Sequence, residues 1–237
     1  MSGGCQLHRL GERYSNGEYL LKNPTFHLED SPWKAGQIRR AIIRYGLHPR
    51  TVAEIGCGAG EILVQLAREM PDVQFSGYEL SPQGYALAAT RASERLEYFN
   101  TDMLDERREF DLVLCIDVFE HVEDCLGFLR RLRARGRSFL FHVPLDMNVQ
   151  MVLRSSPLLG VRNSVGHLHY FSKQTALATL EDAGYRVKGW FYTPNGADRP
   201  KSRKARLLQL PRKACFAFHG ELTARILGGY SLMIWAE

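Results

Sequence analysis

The pattern of hydrophobic and polar positions changes its period several times along the chain, and each change marks the start of a new element. Five short apolar runs, several of them rich in β-branched residues, have the length of buried strands. These runs cover 51–55, 73–79, 95–99, 110–117 and 138–143. Between them, apolar residues recur at helical spacing. These helical stretches cover about 61–69, 82–94 and 124–134. Strands that alternate with helices predict an α/β fold around a parallel sheet.

The two ends of the chain extend this pattern. Ser31 and Pro32 are typical of an N-cap and first helical residue, and the apolar spacing after them predicts a helix that ends at Gly46. A loose aromatic arm with Tyr14 and Tyr19 precedes it. Ser172 begins a later helix, over about 173–183, that Gly184 ends. The last two strands are predicted over 185–191 and 230–236.

The domain organisation follows from these elements. We expect an arm and cap helix over residues 1–46 and a single α/β domain over 47–237, a usual size for one domain. Two segments interrupt the alternation, at 145–170 and 192–228. Long insertions at the carboxyl edge of such a sheet are where substrate pockets are built.

The clearest chemical signal lies between Thr51 and Leu63, which read TVAEIGCGAGEIL. Three glycines at alternate positions stand between a strand and a helix, the arrangement of a nucleotide-binding turn. The dinucleotide fingerprint would need glycine at position 61, where this chain has Glu61. An acid within the strand, Glu54, disfavours a diphosphate ligand and favours one with a cationic amino group.

These residues resemble the first motif of the class I S-adenosylmethionine-dependent methyltransferases. Three later features support the resemblance: Glu79 at the end of the second strand, the FEHV sequence at 119–122 and the HLHYFS sequence that ends at Ser172. The last of these is typical of the small-molecule branch, of the type 11 or type 23 kind. The resemblance implies a doubly wound, Rossmann-like, mostly parallel sheet of seven strands in the order 3-2-1-4-5-7-6, with the last strand antiparallel.

The resemblance also implies a cofactor, S-adenosyl-L-methionine, with S-adenosyl-L-homocysteine as product. Glu79 would bind the two ribose hydroxyls, Leu80 would pack near the adenine, and Asp102 would accept from the adenine amine with Met103 on the ring face. Asp117 would lie beside the methionine part of the cofactor and the transferred methyl group. The implied cofactor-binding residues are Glu54, Gly56, Cys57, Gly58, Gly60, Glu79, Leu80, Asp102, Met103 and Asp117.

Composition and charge limit which other classes of protein the chain could belong to. Five cysteines, odd in number and without a C-x-x-C pair, argue against a disulfide framework and a zinc site, so we predict no metal and a cytoplasmic location. No apolar run is long enough for a membrane span. The net charge of +5 includes a run of seven basic residues without an acid between Arg199 and Lys213. That run is either a solvated loop or a surface for nucleic acid.

We therefore predict methyl transfer to an oxygen or nitrogen of a small molecule. Such an acceptor loses a proton, and His142, His167 and His169 are the candidate general bases. His121 is either a base or a brace for its loop, and the same alternative holds for His167 and His169. Two other functions stay open: an RNA or protein methyltransferase that uses the basic run, and a non-catalytic subunit that only binds the cofactor. The basic run lacks the interleaved aromatic residues that stack on bases, so nucleic acid is disfavoured.

Overall fold

The computed structural model describes residues 28–194, 206–207 and 209–237. Strands and helices alternate along these residues, as the apolar pattern predicts. The strands are β1 (Thr51–Ile55), β2 (Gln74–Tyr78), β3 (Leu96–Phe99), β4 (Phe110–Ile116), β5 (Gly136–Pro144), β6 (Val187–Thr193) and β7 (Ser231–Ala236). The helices are α1 (Ser31–Tyr45), α2 (Glu61–Glu69), α3 (Pro82–Ala89), α4 (Cys125–Leu132), α5 (Val149–Arg154), α6 (Ser156–Ser164), α7 (Lys173–Asp182) and α8 (Gln209–Leu227).

The seven strands form one sheet in the order β3-β2-β1-β4-β5-β7-β6. Strand β1 pairs in parallel with both β2 and β4, and β2 pairs in parallel with β3. Strand β7 runs antiparallel to β6. The predicted fold class and strand order are therefore confirmed.

The chain divides into two compact units. The first consists of the described residues up to Ile116 together with Arg131–Leu140, and the second consists of Asp117–Arg130 and the described residues from Phe141 onward. This division differs from the predicted boundary between residues 46 and 47, which stays a prediction.

Aliphatic residues of β4 and of two helices form part of the core of the first unit. Strand β4 is a continuous apolar run, and Leu112, Val113 and Leu114 are at most 1% exposed. Helix α1 packs against helix α2, with Ile38 fully buried on α1 and Leu63 fully buried on α2. Runs of this kind are typical of parallel strands that are covered on both faces.

A cluster of aromatic rings lies in the core of the second unit. Phe119 packs edge-on against Phe141 and Phe171, with ring centroids 6.0 and 5.1 Å apart. Phe141 makes a further edge contact with Tyr185 at 5.1 Å. The hydroxyl of Tyr185 donates to the backbone oxygen of Leu129 at 2.8 Å. This cluster fixes the loop that follows β4 against β5 and the segment before α7.

Three local predictions need correction. Helix α3 ends at Ala89 rather than Glu94, because Thr90 and Arg91 both donate side-chain hydrogen bonds to the backbone oxygen of Leu87 and so cap the helix. Helical spacing in the sequence predicts that Leu126, Leu129 and Leu132 face inward on α4. Leu126 is instead 37% exposed, since Cys125 takes the buried position one turn before Leu129. Ser31 is the first residue of α1 rather than its N-cap, because Asp30 occupies the capping position.

The two predicted insertions contain helices. Residues 145–170 carry α5 and α6, and the segment 192–228 carries α8, which is kinked at His219. The arm with Tyr14 and Tyr19 and the part of the basic run over 199–205 lie outside the described residues. Among the helices of the described ranges, none has the length and apolarity needed to cross a membrane.

Gly77 on β2 tests how tightly the first unit is packed. A Cβ added there would lie 2.5 Å from the Tyr98 ring and 2.9 Å from the Cys57 sulfur, and Tyr98 is only 8% exposed. We predict that Gly77→Ala lowers the free energy of unfolding by about 1–3 kcal/mol through overpacking. Chemical denaturation measures the change.

The matched control is Gly36→Ala on helix α1, where an added Cβ meets nothing within 4 Å. This change should leave stability equal or raise it by about 0.5–1 kcal/mol, the difference in helix propensity. Equal stability of the two variants would contradict the packing described for Gly77.

Candidate functional site

The turn between β1 and α2 has a backbone that only glycine adopts readily. Gly56, Gly58 and Gly60 have φ values of 68°, 55° and 79°. A side chain in this left-handed region costs roughly 1–2 kcal/mol at each position. The amides of Gly56 and Cys57 both donate to the backbone oxygen of Tyr78, at 2.8 and 3.1 Å, and so tie the turn to the end of β2.

Tyr98 on β3 supports this turn from the side. Its hydroxyl donates to the backbone oxygen of Gly60 at 2.7 Å. A Cβ on Gly60 would lie 2.5 Å from the Tyr98 ring, so glycine is required there for space as well as for φ. Sequence reasoning did not find Tyr98, because no motif marks a residue that acts by packing under a loop.

Glu54 is a buried acid at the end of β1. Its side chain is 2% exposed, and its Oε2 atom has no hydrogen-bond partner among the described residues. Burial raises the pKa of Glu54 to about 8; the charge of Lys34 opposes this rise and that of Glu79 adds to it. A buried acceptor in this state is stabilised by a cationic donor.

Glu79 is the second acid at this edge, and the backbone holds it in place. Its Oε2 accepts from the amide of Gly58 at 2.8 Å, and its Oε1 accepts from the amide of Ser81 at 2.7 Å. Burial raises the pKa of Glu79, while these backbone hydrogen bonds lower it. Each carboxylate oxygen has a second lone pair, so both can still accept a bond from a ligand hydroxyl.

The loop after β3 completes this edge of the first unit. The side-chain amide of Asn100 donates to the backbone oxygen of Glu79 at 2.7 Å. Asp102 accepts from the amide of Leu104 through its Oδ1 atom at 2.9 Å, which caps a short 3-10 turn. Leu80 is 62% exposed, as a residue that packs on a ligand ring would be.

Two of the expected cofactor residues are less accessible. Met103 is fully buried, so it presents no surface to a ring in this structure. Cys57 is buried as well, and burial raises the pKa of its thiol well above the usual range. The structure thus joins the glycine turn to Glu79 at the ends of β1 and β2, and Asn100 ties the loop that carries Asp102 to the end of β2.

Asp117, the first residue of the second unit, has an unusual backbone. It directly follows β4 and has φ 55°, a left-handed conformation that is uncommon for residues other than glycine. Its amide donates to the backbone oxygen of His142 at 2.9 Å, and its Oδ1 atom lies 2.6 Å from Nδ1 of the same histidine. The other ring nitrogen of His142 lies 2.8 Å from the hydroxyl oxygen of Thr193.

These contacts define the state of His142. Its Nδ1 donates to the Asp117 carboxylate, so in the neutral ring Nε2 carries the lone pair and accepts from the hydroxyl of Thr193. The ring is 1% exposed. His142 therefore orients Asp117, and both of its nitrogens are engaged within the protein.

The other two candidate bases lie on the segment before α7. His169 donates from Nε2 to the backbone oxygen of Val122 at 2.8 Å, which leaves the lone pair of the neutral ring on Nδ1. His167 has its Nδ1 atom 2.6 Å from Oδ2 of Asp146. The two rings have different partners, although residues two apart in an extended segment point to the same side.

Sequence reasoning also missed a cluster in the second unit. Glu120, His121 and His167 each offer a ligand atom, and these atoms lie within 4.8 Å of one another. The lack of a C-x-x-C pair argues against a zinc site built from cysteines, but not against a site of glutamate and histidine. An adjacent Glu-His pair followed by an His-x-His sequence was the available signal.

Comparison with known proteins shows that this chain is similar to methyltransferases. A family model described as a methyltransferase domain matches residues 32–188. Ajmaline N-methyltransferase from Rauvolfia serpentina is 32% identical over 113 residues, which cover 42% of this chain and 38% of the relative. A ubiquinone biosynthesis O-methyltransferase from Azorhizobium caulinodans is 30% identical over 116 residues, which cover 43% of this chain and 45% of the relative. The matched region thus spans less than half the length of these curated relatives.

The fold has solved counterparts. Magnesium protoporphyrin IX methyltransferase from Synechocystis PCC 6803, with S-adenosylmethionine bound, superposes with a TM-score of 0.62 at 13% identity. The superposition covers 100% of this chain and 99% of that one. At this identity the likeness concerns the fold alone.

The family match extends over more than half of the chain. It includes the glycine turn, both buried acids and the Glu120–His121 pair. The chain therefore belongs to the methyltransferase-domain family, among the class I S-adenosylmethionine-dependent methyltransferases.

Proposed function

We propose that this protein transfers the methyl group of S-adenosylmethionine to an oxygen or nitrogen of a small-molecule acceptor. One observation carries the proposal: two buried acids lie at the ends of neighbouring strands. Backbone amides bind both oxygens of Glu79, whereas the buried Oε2 of Glu54 has no hydrogen-bond partner among the described residues. This asymmetry matches a ligand with a neutral diol at one end and an ammonium at the other.

The residues of the first unit fit the cofactor. Glu54 would accept from the amino group, since its buried Oε2 lacks a partner among the described residues. Glu79 would bind the ribose diol through the carboxylate lone pairs that do not accept from the amides of Gly58 and Ser81. Leu80 and Asp102 would hold the adenine, and Met103 would support them from within the core. The cofactor supplies a methyl group on a sulfonium, whose positive charge is lost on transfer.

The chain's own contribution is positioning and the exclusion of water. The left-handed glycine turn lets the backbone approach the ligand closely. We propose that Asp117 lies beside the methionine part of the cofactor and that His142 orients the Asp117 carboxylate. A proton leaving the acceptor then goes to His169 or His167, because the contacts of these two rings put the lone pair on Nδ1 and Nε2 respectively.

A direct assay tests the proposed activity. The purified protein is incubated with S-adenosylmethionine labelled in the methyl group and with two acceptor series, phenols and catechols in one and secondary and tertiary amines in the other. We expect label to enter at least one series and to be lost in a variant with both Glu54→Gln and Glu79→Gln. Binding of the cofactor without transfer to either series would instead favour a non-catalytic binding subunit.

Glu54 and Glu79 should differ in which part of the ligand they hold. Glu54→Gln should weaken S-adenosylhomocysteine binding by about 10- to 100-fold, the worth of a charged hydrogen bond. It should leave 5′-methylthioadenosine, which has no amino acid part, within about twofold. Glu79→Gln should weaken both ligands by about tenfold or more, since both contain the ribose. Isothermal titration calorimetry measures all four affinities.

The control is Glu97→Gln, an exposed acid on β3. It should bind both ligands as the parent protein does. Equal losses of the two ligands in Glu54→Gln would contradict the assignment of Glu54 to the amino group.

Ligand binding should depend on pH through Glu54. Because burial raises the pKa of this carboxyl to about 8, it is mostly protonated at pH 6.5 and ionises to pair with an ammonium. We predict release of about one proton per S-adenosylhomocysteine bound at pH 6.5, and an affinity that rises about tenfold per pH unit from about pH 6 to 7.5. Calorimetry in buffers of different ionisation enthalpy counts the protons.

Two controls isolate Glu54 from Glu79, whose pKa is raised as well. Glu54→Gln should abolish the release, and 5′-methylthioadenosine should show none in the parent protein. Proton release that persists in Glu54→Gln would assign the ionisation to another group.

The role of His142 predicts strong coupling to Asp117. A double-mutant cycle of His142→Gln and Asp117→Asn, followed by chemical denaturation, should give an interaction free energy of about 1–3 kcal/mol. The reason is the short contact between the buried ring and the carboxylate. A ring that served instead as an independent base would give a coupling below about 0.3 kcal/mol.

A further inference from the structure

The cluster of Glu120, His121 and His167 lies wholly within the second unit. Glu120 and His121 belong to the 3-10 turn Phe119–His121 after β4, and His167 comes from the segment before α7. Two imidazoles and one carboxylate are a mixed donor set, which differs from the purely acidic groups common on protein surfaces. Transfer from a sulfonium needs no metal ion, so a metal site goes beyond the proposed activity. A metal bound here would occupy the Nε2 lone pair of His167 and leave His169 as the candidate base.

The backbone holds the two segments together independently of these side chains. The amides of Leu168 and His169 both donate to the backbone oxygen of Glu120, at 2.8 and 3.0 Å. Nε2 of His169 donates to the backbone oxygen of Val122 at 2.8 Å. Three hydrogen bonds therefore fix the distance between the Glu-His pair and His167, so the three donors are brought together by the fold.

A carboxylate orients His167 as a ligand. Asp146 accepts from Nδ1 at 2.6 Å, which leaves the Nε2 lone pair as the donor atom. Metal-binding histidines commonly donate their other ring N–H to a carboxylate, which fixes the tautomer and raises the basicity of the ligand. Asp146 therefore orients His167 in the way that a supporting carboxylate orients a metal-binding histidine.

Glu120 supplies the negative charge of the cluster. Its side chain is fully buried, and its Oε1 atom lies 3.9 Å from Nε2 of His121. The rings of His121 and His167 meet edge-on with centroids 4.8 Å apart. Carboxylate oxygen and imidazole nitrogen are both common ligands of a divalent metal ion. A cation among the three side chains would balance the charge.

The donor set selects the kind of cation. Imidazole nitrogen suits zinc, iron, copper and nickel, whereas magnesium and calcium take oxygen ligands. Metal bonds of about 2.0–2.2 Å would place ligand atoms roughly 3–3.5 Å apart. Donor atoms that lie within 4.8 Å of one another therefore need to approach by at most about 1–2 Å. Three protein ligands leave a coordination position for water or substrate.

We propose that Glu120, His121 and His167 bind one divalent transition-metal ion of the zinc class, with Asp146 as the residue that orients His167. None of these residues is among those proposed to hold the cofactor's amino group, ribose and adenine, so substitutions at the two sites change different side chains. Metal binding and cofactor binding can therefore be measured separately in the full chain.

The test uses the full-length protein without a histidine tag, stripped with a chelator and dialysed against excess Zn²⁺. We expect one zinc per chain by mass spectrometric metal analysis. His167→Gln and Glu120→Gln should each weaken zinc binding at least about 100-fold by calorimetry with a competing chelator, and Asp146→Asn should weaken it about 10- to 100-fold. His121→Gln provides a third ligand substitution if one of the others fails to fold.

The control is His48→Gln, an exposed histidine of the first unit; it should keep one zinc per chain. Titration of S-adenosylhomocysteine into each variant checks the fold and separates this inference from the proposed function. No zinc bound to the parent protein, or binding unchanged by the ligand substitutions, would overturn the site. Mg²⁺ that binds as tightly as Zn²⁺ would overturn the assigned metal class.

Discussion

The site of the first unit depends on a carboxyl group that the fold keeps out of water. Glu54 lies on β1 beneath the turn at its end, at 2% exposure. Removal of a carboxylate from water raises its free energy, and here the pKa of Glu54 rises to about 8 as a result, chiefly through burial. A cationic ligand group would stabilise the buried carboxylate on binding and so offset this cost. We therefore propose that the electrostatics of this one residue favour an amino group over a phosphate.

The surrounding residues make this burial consistent with a stable fold. The glycine turn follows Glu54 in a left-handed backbone and is tied to β2 through the backbone oxygen of Tyr78. Glu79 then holds the turn through Gly58, and Tyr98 fills the space that side chains on Gly60 and Gly77 would need. Three neighbouring strand ends are thus joined by short polar contacts. The same contacts that close the edge also set the spacing between the two acids.

The sequence predicts the first unit well, because its signals are local. The apolar run of β4, the alternate glycines after β1 and the strand-end acid Glu79 each depend on residues that are close along the chain. The strand order came with the family resemblance. The burial of Met103 and the exposure of Leu126 depend on packing partners, which periodicity does not specify.

Such local signals do not predict the long-range contacts of the second unit. His142 contacts Asp117 across 25 positions and Thr193 across 51, so its buried state was not visible in the sequence. The same is true of His167 and Asp146, and of the backbone contacts that bring His167 to Glu120. A histidine near a strand end suggests a base from sequence alone. Its hydrogen-bond partners decide whether it moves a proton, orients a neighbour or binds a metal.

The most direct measurement of the central claim is a crystal structure with S-adenosylhomocysteine bound. The account predicts the amino group within about 2.7–3.2 Å of a Glu54 carboxylate oxygen and the two ribose hydroxyls within the same distance of the Glu79 oxygens. A ligand bound elsewhere, or an amino group paired with another residue while Glu54 stays buried and unpaired, would contradict it.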